Sequence, residues 1–117
     1  MVHGDLATLE EWTSVLRIAK MYFFDDHREL AIARLAQIGG PVDRIVLARE
    51  FDIPGWLEEG FFELCIRPGS LTLEEGDRLG MKDVIKIADL RQRARYTNLG
   101  WHHDVIRATI RQELRTL

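Results

Sequence analysis

The chain has 117 residues, 46% of them hydrophobic and 30% charged, with a net charge of −3, so it has the composition of a folded globular protein and not of a disordered one. A single cysteine, Cys65, rules out an internal disulfide framework, and no stretch approaches the roughly 18 consecutive apolar residues of a membrane span. Charge is uneven: residues 1–60 carry 6 Lys/Arg against 11 Asp/Glu, and residues 61–117 carry 10 against 8, a tilt too weak to announce nucleic acid.

Residues 1–7 lack the charged-then-apolar pattern of a signal peptide and are expected to lie outside the fold, as disordered or extraneous residues. Thr8-Leu9-Glu10-Glu11 reads as a capping box, and the helix it opens puts Trp12, Val15, Leu16 and Ala19 on one face. An aromatic run, Tyr22-Phe23-Phe24, ends that helix. Asp26 with Glu29 suggests a second capping arrangement, opening a helix through Leu30, Ala31 and Leu35 toward Ile38. Gly39-Gly40 stops it, and Pro41 suits the first turn of a short helix burying Ile45, Leu47, Ala48 and Phe51.

Asp52-Ile53-Pro54 repeats the device, with Pro54 expected at or near the first helical position and Trp56, Leu57, Phe61, Leu64 and Cys65 facing inward. Thr72-Leu73-Glu74-Glu75 is a further capping box, for a brief helix closed by Gly80. Asp83 is expected to cap the helix after it. There, Met81, Val84, Ile85 and Ala88 make one apolar stripe, and Ile87, Leu90 and Ala94 make a second, predicting burial on two sides. A turn at 97–100 leads to a last helix striped by Ile106, Ile110, Leu114 and Leu117. No run alternates as a strand does. The expectation is a single all-α domain over 1–117, an irregular bundle of six to seven short helices.

Chemistry is sparse. His102-His103 are helix neighbours about 100° apart and cannot share an ion as an i, i+4 pair does, and His3 and His27 are isolated. Cys65 falls in phase with core residues, which disfavours a thiolate. The pairs Glu10-Glu11, Glu58-Glu59 and Glu74-Glu75 suit the positive ends of helices. No catalytic residue, metal or cofactor is expected. The rival to an interaction role is a helix-turn-helix-like nucleic-acid-binding domain over 71–95, with Lys82, Lys86, Arg91, Arg93 and Arg95 as its basic surface.

An ordered series of segments carries a family resemblance. It runs through 12–19, beginning Trp12-Thr13-Ser14-Val15-Leu16, then Arg28-Glu29-Leu30-Ala31-Ile32 and 41–49, beginning Pro41-Val42-Asp43-Arg44-Ile45. It continues with Trp56-Leu57, Glu63-Leu64-Cys65-Ile66-Arg67-Pro68 and Leu71-Thr72-Leu73-Glu74-Glu75-Gly76. Over about three-quarters of its length the chain resembles the helical, BACK-like segment that follows the BTB/POZ domain in BTB proteins of mushroom-forming fungi. In related animal proteins the first helix pair of that region helps dock a cullin ubiquitin-ligase scaffold, and 9–35 takes the equivalent place here.

The lone cysteine suits a reducing, intracellular compartment, cytoplasmic or nuclear, and the resemblance implies a protein–protein interaction module belonging to a BTB-type adaptor. The partner would be a BTB domain, a ubiquitin-ligase scaffold or a second copy, with no role for a membrane. Only 11 residues stand before Trp12, too few for a BTB fold, so a face once covered by one is expected to remain apolar. Leu9, Trp12, Val15 and Leu16 are the expected surface, and Trp101, in a turn, is a further expected anchor.

Overall fold

A computed structural model describes residues 8–96 and 103–115. Its described residues form seven helices: α1 (Leu9–Tyr22), α2 (Asp25–Ile38), α3 (Pro41–Phe51), α4 (Trp56–Ile66), α5 (Leu73–Leu79), α6 (Met81–Tyr96) and α7 (His103–Arg115). No strand occurs among them, so the fold is all-α, an irregular set of short helices. None is long and apolar enough to cross a membrane. The chain divides at Gly39–Gly40 into two compact units, one holding α1 and α2 and the other α3 to α7.

The first unit is a helical hairpin. Thr8 opens α1: its hydroxyl accepts from the Glu11 N–H at 3.1 Å, and its own N–H donates to the Glu11 carboxylate at 3.3 Å. Trp12, Leu16 and Ala19 are buried along α1, and Ala31 and Leu35 along α2. The second capping arrangement does not form. Phe24 is the residue at the helix boundary, no side chain caps it, and Asp26 lies inside the first turn of α2, where its charge still suits the helix's positive end.

The second unit is built around α4. Val42 and Ile45 of α3, Phe61, Phe62, Leu64 and Cys65 of α4, Ile87 and Leu90 of α6, and Ile106 and Ile110 of α7 make one core. Pro41 does start α3, and the Gly40 N–H donates to Asp43 at 2.8 Å. Pro54 does not start α4. Gly55, at φ +83°, makes that turn and Trp56 begins the helix. Gly60 lets α3 and α4 approach: a Cβ there would lie 2.6 Å from Ile45 Cγ1 and 2.7 Å from the Pro41 carbonyl oxygen.

Two corrections concern faces. Trp56 and Leu57 are only half-buried, whereas Phe62, absent from the expected stripe, is buried, because α4 is covered by α3, α6 and α7 together. On α6 the inward line is Ile87, Leu90 and Ala94, while Met81, Ile85 and Ala88 are exposed. That helix is therefore buried on one side and not two. Asp83 is no cap either: α6 begins directly after Gly80, and Asp83, buried, forms an ion pair with Arg49 at 2.7 Å.

Candidate interaction surface

Four of the five basic side chains of α6 are committed within the protein, Lys82 being the exception. Arg91 is buried and donates to the carbonyls of Leu64, Arg67 and Pro68, capping the orphaned acceptors at the end of α4. Burial, followed by the neighbouring charges of Arg95 and Arg67, lowers its pKa from the usual guanidinium value. Arg95 joins it on the Pro68 carbonyl at 3.0 Å. Arg93 faces Asp89 at 3.2 Å and donates to Glu113 at 2.9 Å, and the Lys86 ammonium reaches the Glu113 carbonyl at 3.3 Å.

Of the five cations expected to form a nucleic-acid surface, only Lys82 is exposed without a role of this kind. Arg91 in particular is inaccessible to phosphate. Arg91 and Arg95 hold the 67–70 loop, with Arg67 closing it by a two-pronged pair with Glu75 at 2.6 and 2.9 Å. That pairing, with the Thr72 N–H, pulls the Glu75 carboxyl down to about 2.

The residues with reactive potential are equally occupied. Cys65 is buried and its thiol is pushed up to about 11 by desolvation, so it is neutral at pH 7. The His103 ring packs edge-on against Phe62 at 5.1 Å, and Arg107 lies 3.8 Å over the same ring. His27 lies against Phe24 at 5.5 Å. Among the described residues no group of three or more His, Cys, Asp or Glu is placed to hold a metal ion.

The expected apolar surface on α1 is not where the sequence put it. Leu16 is fully buried and Trp12 is 9% exposed, so neither is available to a partner; Leu9 and Val15 are half-buried. Helix α1 turns its strongest apolar stripe inward, as an amphipathic helix does when the chain itself supplies the covering. Trp101 lies outside the described residues, as do residues 1–7, the turn at 97–100, His102 and Leu117.

What the hairpin leaves bare is its corner. Ile18, Met21, Tyr22, Phe23 and Phe24 are exposed by 52, 68, 60, 86 and 48%. Tyr22 and Phe24 stack at 6.0 Å across Phe23, and a hollow of about 240 Å³ lined by Val15, Ile18, Ala19, Phe24 and His27 lies beside them. With an aromatic side chain at roughly 200 Å², the five residues expose on the order of 600 Å², the upper end of the largest apolar patch on an ordinary monomer.

Phe23 is also one of two non-glycine residues with positive φ among the described residues, the other being Asp52 at the end of α3. Phe23 adopts φ +60° and ψ +39°, and the Phe24 N–H donates to the Ala19 carbonyl at 2.9 Å, closing the end of α1 around it. This is the left-handed position at which helices usually place glycine or asparagine. A bulky side chain there costs about 1–2 kcal/mol, and at 86% exposure the ring recovers almost none of it by packing. No family model, curated protein or solved structure matches the chain.

Tyr, Phe and Met are residue types enriched at the cores of protein interfaces, and the corner's exposed area is somewhat below the roughly 800 Å² that a standard interface buries on each partner. Asp25 and Asp26, exposed in the first turn of α2, make a charged edge next to it. The aromatic run was visible in the sequence as the end of a helix. The overlooked signal was that α1 stops there with no glycine or asparagine to stop it.

Proposed function

We propose that the chain is a protein–protein interaction module, the helical part of a BTB-type adaptor, which docks its partner through the α1–α2 corner. The observation that carries this is Phe23, held in an unfavourable backbone conformation and presented to solvent between two stacked aromatics. A strained position whose side chain the fold leaves unpacked is expected where a partner packs that side chain on binding. The resemblance to the BACK-like segment of fungal BTB proteins supports the same reading, since in related animal proteins the helix pair equivalent to 9–35 helps dock a cullin ubiquitin-ligase scaffold. By that resemblance the partner is a BTB domain or a ubiquitin-ligase scaffold.

The affinity resides in the ring of Phe23 and the side chains of Met21 and Tyr22, which a partner groove would desolvate together. Asp25 and Asp26 favour a partner with basic residues at that groove's rim. The test is quantitative affinity capture from the source cells, comparing the native chain with a Met21→Ser, Phe23→Gly double variant. A protein recovered with the native chain and lost with the variant is the expected result. Equal recovery with both would place binding elsewhere on the molecule.

A further inference from the structure

A second apolar surface, independent of the corner, lies wholly within the second unit. Leu71, Leu73 and Gly76 on one side and Met81 and Val84 on the other line a groove of about 550 Å³ between α5 and α6. Leu73 is 83% exposed and Met81 72%, and Ile85, one turn beyond Met81 on the same face of α6, is 60% exposed. This is the face of α6 that its apolar pattern predicted to be covered.

Helix α5 is an unusual wall. It has seven residues, too few to be stable alone, and it buries none of them. Beyond Leu79, which packs half-buried against the core, polar devices hold it: the Thr72–Glu75 capping box, the Arg67–Glu75 pair and an ion pair from Arg78 to Asp43. The groove is thus fixed in shape without being filled. Gly76, the poorest helix former short of proline, opens its floor, since a Cβ there would meet only Val84 Cγ2, at an ordinary 3.5 Å.

Charge selects the occupant. Each ionic group that fixes α5 is matched, Glu75 by Arg67 and Arg78 by Asp43, but Glu74 and Asp77 have no ion-pair partner among the described residues. Asp77 lines the groove and is its sole charged lining residue. Lys82 is directed to a different hollow, shared with Arg49, Leu79 and Asp83. A preformed apolar groove with an unmatched carboxylate at its rim fits an amphipathic helix whose apolar anchors recur every three or four residues beside a Lys or Arg. We propose that the α5–α6 groove docks a basic amphipathic helix of a partner protein, paired through Asp77.

The test titrates the isotope-labelled full chain with three synthetic peptides of roughly four helical turns each. One is a Leu/Lys amphipathic helix, one its Leu/Glu counterpart, and one a scrambled Leu/Lys sequence. The Leu/Lys helix is expected to shift the amide resonances of Leu73, Gly76, Met81 and Val84 saturably. Asp77→Lys, on an exposed residue, weakens it by roughly fivefold or more and transfers preference to the Leu/Glu peptide.

Gly76→Leu occupies the floor and weakens binding roughly tenfold or more, whereas Gly76→Ala leaves the fold as stable or more so. Should Gly76→Leu fail to fold, Asp77→Lys decides the matter alone. Equal binding of the acidic or the scrambled peptide, or shifts spread away from the groove, overturns the proposal. So does movement of the same resonances with protein concentration alone, which would make a second copy the occupant.

Discussion

Replacing Phe23 by glycine should make the protein more stable while removing the proposed docking. The left-handed backbone at φ +60° costs a non-glycine residue about 1–2 kcal/mol. Glycine removes that cost but brings about 0.5–1 kcal/mol of extra backbone entropy in the unfolded chain. At 86% exposure the lost ring contributes little burial, so the balance is a gain on the order of 0.5–1 kcal/mol. Phe23→Ala separates the two effects: it removes the ring but keeps the Cβ that makes the conformation costly, and its stability should stay within about 0.5 kcal/mol of the native chain. Urea unfolding followed by far-ultraviolet circular dichroism measures both, with the midpoint of Phe23→Gly above those of Phe23→Ala and the native chain. A Phe23→Gly midpoint below the native one would show that the ring is held by contacts and that no strain is stored there.

Gly60→Ala is expected to destabilise the second unit by about 1–3 kcal/mol, because the new methyl meets the Pro41 carbonyl as well as a movable Ile45 side chain; a thermal melt with an unchanged midpoint would contradict the close approach. Glu75, whose folded pKa lies near 2, contributes stability that is complete above the ordinary carboxylate range and is lost as pH falls from about 4.5 toward 2. Glu75→Gln should accordingly flatten the acid side of the unfolding-midpoint profile over that window, which urea melts at stepped pH read directly. Cys65, buried and pushed up to about 11, should resist a thiol reagent at pH 8 in the native chain and react at once in denaturant; fast labelling of the folded protein would be inconsistent with its burial.

The helix starts were legible because their signals are local. Thr8 and Thr72 each stand three residues before a glutamate, and both form the reciprocal hydrogen bonds that this spacing allows. Gly39-Gly40-Pro41 likewise stopped one helix and started the next. Faces were harder to assign. Helix α6 carries two apolar lines, and periodicity alone does not say which one the rest of the chain covers. That choice is made at long range, by Asp83 meeting Arg49 and by Arg91 reaching back to the end of α4, contacts 34 and 27 residues apart.

The same limit governed the surfaces. Apolar residues at helical spacing mark a buried stripe as readily as a docking stripe, so Trp12 and Leu16 were expected at a surface and lie in the interior. The apolar residues of α1 and its end left exposed were those outside the stripe, Ile18 and Met21 to Phe24, most of them where the helix had already ended or was about to end. Basic residues on α6 similarly suggested phosphate contacts until carbonyls and carboxylates of the chain itself were found opposite them.

Site-specific photo-crosslinking tests the interaction role most directly. A benzoylphenylalanine placed at Phe23, and in a control chain at the exposed Gln112, would be irradiated in the source cells and the adducts identified by mass. Docking at the hairpin corner predicts a discrete adduct with one partner protein from position 23 and none of that species from position 112. The same adducts from both positions, or none from position 23, would contradict it.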